Sequence, residues 1–224
     1  DRLPGRHLYF LDDHLLGNPR FASELFEGMR GMGRVFQSAA TVASVLNGNL
    51  IEKAAEAGLR SLFLGFETFS PENLRSSNKL QNLSKDYVAA VERLHRLGIM
   101  INGSFVFGLD HDDKDVFHRT VDWGIEHSIT TATFHILTPY PGTRLFQQME
   151  RDGRITSHDW SKYDTRTVVY KTMGLSTEEL KQGNDWAYRE YYSWKNIFNA
   201  SFGHDNLKQQ FAHLFYMGGW KKFE

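Results

Sequence analysis

Cysteine is missing from all 224 residues, and that removes disulfides, thiolate nucleophiles and thiolate-bound metals from the chemistry of this chain. Whatever it does is done by oxygen and nitrogen groups, or by something supplied from elsewhere. An excess of charge is missing too: 26 Lys and Arg stand against 27 Asp and Glu, a formal net charge of -1. With a pI near 6.9 no basic field gathers phosphates at long range, and no nucleic-acid partner is indicated. No apolar run reaches the roughly 18 residues of a membrane span, and no signal-peptide core stands at the start. The cytoplasm is therefore the expected address. The first residue is Asp1 rather than Met, and a Pro4-Gly5 turn feeds directly into a strand; the expectation is a piece of a longer protein.

What is present is an ordinary globular composition, 41% hydrophobic and 24% charged, enough for one sizeable core. Short apolar runs alternate with amphipathic stretches. His7 to Leu11 reads as a strand, after which Asn18 caps and Pro19 opens a helix reaching about Met32. "RVFQSAATVA" reads as the second strand and its exit, "NLIEKAAEAG" as a helix closed by Gly58, "LRSLFLGFE" as the third strand, and "SPENL" as a short helix capped by Ser70 with Pro71 in its first turn. "SKDYVAAVERLHRLG" is the clearest helix; "IMINGSFVFGLD", "DVFHRTVDWGIEH" and "TTATFHILTPYPG" follow as strand, helix and strand. The phrases "AAEAGLRSLFLGFE" and "LHRLGIMINGSFVFGLD" repeat one order: helix, Gly, strand, Gly, acid. Such βα repeats imply parallel strands joined by right-handed crossovers, in a doubly wound sheet or part of a barrel. After residue 155 the pattern turns irregular, with one strand candidate at Thr167 to Tyr170. Then Ser176 and Glu179 form a capping box before about two helices rich in aromatic residues.

In a parallel α/β domain ligands bind at the carboxyl ends of the strands. The residues collected there are Asp12 and Asp13, Gln37 and Ser38, Glu67 and Thr68, Asp110 to Asp112, and His135 with Thr138 and Tyr140. A row of acids on one rim argues for a site, since adjacent carboxylates repel unless something cationic or hydrogen-bonding holds them. Gly65 and Gly108 near two strand ends read either as bulges or as close approaches by a backbone or ligand. "DHDD", Asp110 to Asp113, reads as a solvated turn rather than a metal site, and no metal ligand is assigned.

The ordered strand ends "FLDDH", "LGFETFSPENL", "GSFVFGLDHD" and "ILTPYPGTRLF" closely resemble the radical S-adenosylmethionine superfamily, in the branch that commonly carries an upstream cobalamin-binding domain. The resemblance covers roughly Tyr9 to Ile155, and Asp159-Trp160 to Tyr163-Asp164 with the helical tail looks like the extension some of these proteins carry. It implies a partial (β/α) parallel barrel over residues 1–155 and a mostly helical C-terminal extension over 156–224. In that family a 4Fe-4S cluster is held by Cys-x-x-x-Cys-x-x-Cys after the first strand and cleaves S-adenosylmethionine to a 5′-deoxyadenosyl radical. With no cysteine here, the resemblance implies that the first strand and cluster loop lie upstream, and that this chain alone is inactive. It places Asp12 and Asp13 at the amino group of S-adenosylmethionine, Glu67 at its ribose, Gly108 along the adenine edge, Leu137 to Tyr140 on the adenine and substrate side, and Gln37 and Ser38 toward cofactor or substrate. The implied activity is that of a cobalamin-dependent methyltransferase or another C–H-activating enzyme with a small-molecule substrate. The alternatives are a barrel hydrolase using carboxylates such as Asp13 and Glu67 as acid and base, and a binding module that kept the fold without its cluster.

Overall fold

The computed structural model describes residues 3–12, 14–70, 72–73, 84–202 and 207–221. Five strands, β1 (His7–Tyr9), β2 (Val35–Thr41), β3 (Leu59–Glu67), β4 (Met100–Phe107) and β5 (Thr131–Ile136), form one sheet in the order β1-β2-β3-β4-β5, every pair parallel. The strand order never reverses. A doubly wound sheet reverses at its switch point, whereas a (β/α) barrel adds each strand on the same side of the last. The sheet is a curled half-barrel, and β1, shorter than the five residues expected, pairs among the described residues only with β2.

The crossovers show the local chemistry that shapes them. Helix α1 (Pro19–Met29) begins where the Asn18 side chain accepts from the Phe21 amide, with Pro19 at the first helical position. A short α2 (Val42–Leu46), expected only as the exit from β2, is capped by Thr41 Oγ1. Helix α3 (Leu50–Ala57) ends at Gly58 with φ +114°, where a Cβ would lie 2.1 Å from the Arg34 carbonyl. Helices α4 (Ser84–Arg96), α5 (Val116–Glu126) and α6 (Arg144–Arg151) complete the barrel layer. Pro71 and residues 74–83 lie outside the described residues, but Ser70 Oγ accepts from the Asn73 amide as a cap would.

Side chains of alternate parity divide the sheet. On the helix side Phe66, Phe105, Phe134 and Phe107 stack across three strands at 5.4 to 5.7 Å between ring centroids, with Trp123 of α5 edge-on to Phe66. The other face is polar. Asn102 Nδ2 donates to Ser61 Oγ at 2.8 Å and Thr131 Oγ1 donates to Asn102 Oδ1, so a hydrogen-bonded row crosses β3, β4 and β5.

Among the described residues three helices, rather than about two, follow residue 176: α7 (Thr177–Tyr191), which starts with the expected capping box, α8 (Trp194–Phe202) and α9 (Leu207–Lys221). The strand expected at Thr167 to Tyr170 is a single antiparallel bridge, Ile155 to Tyr170. The end of α7 closes the outer edge of β5 with side chains. The Ala132 amide donates to Tyr192 Oη at 3.0 Å and that hydroxyl donates back to the Ala132 carbonyl at 2.8 Å; the Phe134 amide donates to Tyr188 Oη, and Asn184 Nδ2 donates to the Phe134 carbonyl. Edge groups that would otherwise template aggregation are thereby paired. Tyr192→Phe is expected to leave one amide and one carbonyl of Ala132 without that partner, costing about 1–3 kcal/mol. A lowered urea midpoint with unchanged m-value checks it; a midpoint equal to the parent's would show that the edge does not depend on the hydroxyl.

Candidate cofactor-binding site at the strand ends

Glu67 is the last residue of β3 and has φ +65°, a left-handed backbone uncommon for a residue with a side chain. The Thr68 amide donates to the Phe66 carbonyl at 2.8 Å, so Glu67 is the centre of a γ-turn, and the pairing with β4 shifts register between Gly65 and Glu67. The bulge reading of this strand end holds. Such a break re-aims one side chain out of the alternation of the strand. Here the carboxylate folds back over Gly65, whose would-be Cβ lies 2.9 Å from Glu67 Oε1. The turn is fixed from behind: Tyr87 Oη of α4 donates to the Phe66 carbonyl and lies 3.2 Å from the Thr68 carbonyl. Strained backbone held by several independent bonds is a feature of functional sites.

His135, on the polar face of β5, shares this neighbourhood. Its Nδ1 lies 3.1 Å from Thr165 Oγ1, and Thr165 itself has φ +64°. Burial pushes the pKa of His135 down, the Glu67 carboxylate opposes that, and the Arg166 guanidinium adds to it. The sequence placed Glu67 and His135 on a common rim; it gave no sign of Thr165 and Arg166, which arrive from the extension.

The other expected residues divide. Asp12 is exposed, and its Oδ1 accepts from the His14 amide at 2.9 Å, a local turn that leaves the second oxygen available; Asp13 lies outside the described residues. Tyr140 is exposed on a loop held by Thr143, whose amide and Oγ1 both donate to the Tyr140 carbonyl. Leu137 is half-buried, with its amide donating to the Phe107 carbonyl. Gln37 and Ser38 are not at a strand end, because β2 runs on to Thr41. Neighbouring residues of a strand face opposite ways: Gln37 is exposed, whereas Ser38, 3% exposed, shares the parity of Phe36 and Ala40 and turns toward the helices. Gly108 does permit a close approach, made by protein. With φ +92°, it would place a Cβ 2.3 Å from Tyr170 Oη and 2.7 Å from Leu180, and its carbonyl accepts from Tyr170 Oη at 2.5 Å.

"DHDD" is not a solvated turn throughout. Asp110, His111 and Asp113 are exposed, but Asp112 is buried. Its Oδ2 accepts from the amides of Gly108 and Leu109 at 2.8 and 3.0 Å and its Oδ1 from Asn73 Nδ2 at 2.7 Å, while Asn73 Oδ1 accepts from the His111 amide. Burial raises the Asp112 pKa to about 6 against the pull of those donors. Asp110 is paired with Arg154, at 2.6 Å, whose Nε also donates to the Lys171 carbonyl. Both acids therefore serve the loop and the extension. Beside the end of β2 a cavity of about 530 Å³ is lined by His14, Thr41, Ser44 and Lys53 among others, with His14 Nε2 2.5 Å from Ser44 Oγ. It contains none of the expected residues. Among the described residues no three His, Asp or Glu gather as a metal site.

An all-parallel half-barrel with strands in sequential order and its polar groups collected at the strand ends is the partial (β/α) barrel of radical S-adenosylmethionine proteins. Relatives by sequence agree. The bacteriochlorophyllide d C-12(1)-methyltransferase of Chlorobaculum tepidum is 32% identical over 194 residues, 87% of this chain and 42% of that protein. The hopanoid C-2 methylase of Rhodopseudomonas palustris is 27% identical over 158 residues, 68% of this chain and 30% of that protein. Among solved structures, the cobalamin-dependent S-adenosylmethionine radical enzyme OxsB superposes with a TM-score of 0.62 at 16% identity, covering 97% of this chain and 38% of its own. No family model matches the chain. The chain belongs to the radical S-adenosylmethionine superfamily, and its relatives are methyltransferases and cyclases. It spans about two fifths of the length of the first of them.

Proposed function

We infer that this chain forms the S-adenosylmethionine-binding side of the catalytic barrel in a radical enzyme, one that methylates or otherwise activates a C–H bond of a small molecule. The observation that carries the reading is Glu67, a carboxylate set at the carboxyl end of the third strand on a strained turn that Tyr87 holds in place. S-adenosylmethionine offers an ammonium and ribose hydroxyls, and a carboxylate accepts from both. Glu67 takes the ribose in this reading, and Asp12 with Asp13 takes the ammonium; Gln37 and Tyr140 line the cofactor and substrate side.

An iron–sulfur cluster does not fit these residues, because the chain has no thiolate to hold it. Its ligands belong, in this reading, to residues outside this sequence, as does a cobalamin-binding domain, and the division into barrel (1–155) and extension (156–224) is part of the same proposal. The extension completes the rim: Thr165 and Arg166 reach the Glu67–His135 corner, while Tyr170, together with Arg154 at the end of the barrel part, braces the loop after β4.

The test is S-adenosylmethionine affinity of the full-length, cluster-loaded protein with Asp13→Ala, Glu67→Ala and His111→Ala in parallel. Losing one charge-assisted hydrogen bond costs about 1.5–3 kcal/mol, roughly ten- to a hundredfold in affinity. That loss is expected for the two carboxylates and not for His111, whose side chain stands exposed on the loop. If His111→Ala abolishes binding while both carboxylate variants bind like the parent, the site is assigned to the wrong residues.

A further inference from the structure

The C-terminal helices α8 and α9 each bury one face and leave a full apolar stripe in solvent. On α8, Ile197 and Ser201 are buried, while Trp194, Phe198 and Phe202 recur every fourth residue and are exposed. Their rings form a ladder, with centroids 5.8 and 6.1 Å apart. On α9, Met217 is buried and His213 meets Ser201 Oγ at 2.9 Å, while Leu207, Phe211 and Phe215 again recur every fourth residue, Phe215 at 80% exposure. Six large apolar side chains in solvent on two packed helices form a patch of the kind that marks an interaction surface.

Charge decides what covers it. The helices α8 and α9 together contain three Lys and no Arg, Asp or Glu, a net +3 against -4 for the rest of the chain. Lysine is depleted from the cores of protein interfaces, and two copies of a +3 surface repel each other. Aromatic side chains interleaved with lysine suit the boundary of an anionic bilayer, where rings enter the headgroup region and ammonium groups meet lipid phosphates. We propose that α8 and α9 dock this protein on the surface of an anionic lipid membrane, with Trp194, Phe198, Phe202, Phe211 and Phe215 as the inserting residues. The contact is peripheral: no described helix is long and apolar enough to cross a membrane.

The experiment is co-sedimentation of the purified protein with phosphatidylcholine vesicles and with vesicles containing phosphatidylglycerol, at low and high salt, beside Phe198→Ser and Phe215→Ser. Binding to the anionic vesicles is expected to exceed that to neutral ones by about tenfold or more and to weaken with salt. Each serine variant should lose most of it while keeping the far-UV spectrum and S-adenosylmethionine affinity of the parent, since neither residue touches the strand-end site. No partition into anionic vesicles would overturn the proposal. So would serine variants that bind like the parent, or a concentration-dependent dimer that anionic vesicles fail to dissociate, which would make a second copy the occupant.

Discussion

Gly108→Ala is expected to destabilise the protein by about 2–5 kcal/mol, the sum of a left-handed backbone imposed on an L residue and of overpacking a filled space. The new Cβ would sit 2.3 Å from Tyr170 Oη and 2.7 Å from Leu180. Tyr170 cannot simply swing away, because its hydroxyl donates to the Gly108 carbonyl and its ring packs with Phe146, Met149 and Val169. For a chain of this size the cost corresponds to a fall of roughly 5–15 °C in melting temperature. Tyr170→Phe removes the closest clashing atom, so the double variant should recover part of the loss despite forfeiting the hydrogen bond. A Gly108→Ala protein that melts with the parent would mean that the loop after β4 is not held against the extension as described.

Asp112→Ala is expected to cost a similar amount, about 3–5 kcal/mol, by a different route. It strands the amides of Gly108 and Leu109 and the Asn73 carboxamide, which share this buried carboxylate as acceptor. The same group gives stability a pH dependence whose sign is fixed. Its folded pKa, raised to about 6 from 3.8, means that folding takes up a proton between those values. Asp112 therefore contributes stability that is full below about pH 4, is lost as the pH rises through 6, and stays lost above it. The amplitude is up to about 3 kcal/mol. Comparing the pH dependence of unfolding free energy in the parent and in Asp112→Asn, which cannot titrate, isolates this term. The parent should fall relative to the variant between pH 4 and 6; parallel curves would show that Asp112 ionises normally.

Much of the barrel could be read from local signals. Asn18-Pro19 set the start of α1, Gly58 the end of α3, and the repeated helix–Gly–strand–Gly–acid phrase put β3 and β4 in parallel. The choice between a doubly wound sheet and a barrel could not be read, because it depends on which side each strand joins. The site was legible as a set of strand ends and illegible in its geometry. Nothing in "LGFET" announces that Glu67 turns left-handed, since the bonds that hold it come from Tyr87, twenty positions on. Asp112 looks like one acid among three; its partners are two amides of its own loop and Asn73, from the segment after β3, and the two segments have to meet before its role exists. Ser38 failed for a simpler reason. The second strand runs three residues past Ser38, and adjacent residues of a strand face opposite ways, so only one of Gln37 and Ser38 can face the site. The tyrosines of α7 read as core, and they are, but their hydroxyls spend themselves on the backbone of β5.

The central claim, that S-adenosylmethionine binds across the strand ends with Glu67 at its centre, is tested most directly by hydrogen–deuterium exchange of the full-length, cluster-loaded protein with and without S-adenosylmethionine. The account predicts slowed exchange in the loop after β1 around Asp12 to His14, at the γ-turn through Gly65 to Thr68, and in the loop from Leu137 to Tyr140. Protection confined to the cavity between His14 and Lys53, or to the Asp110–Asp113 loop, with the turn at Glu67 exchanging as before, would contradict it.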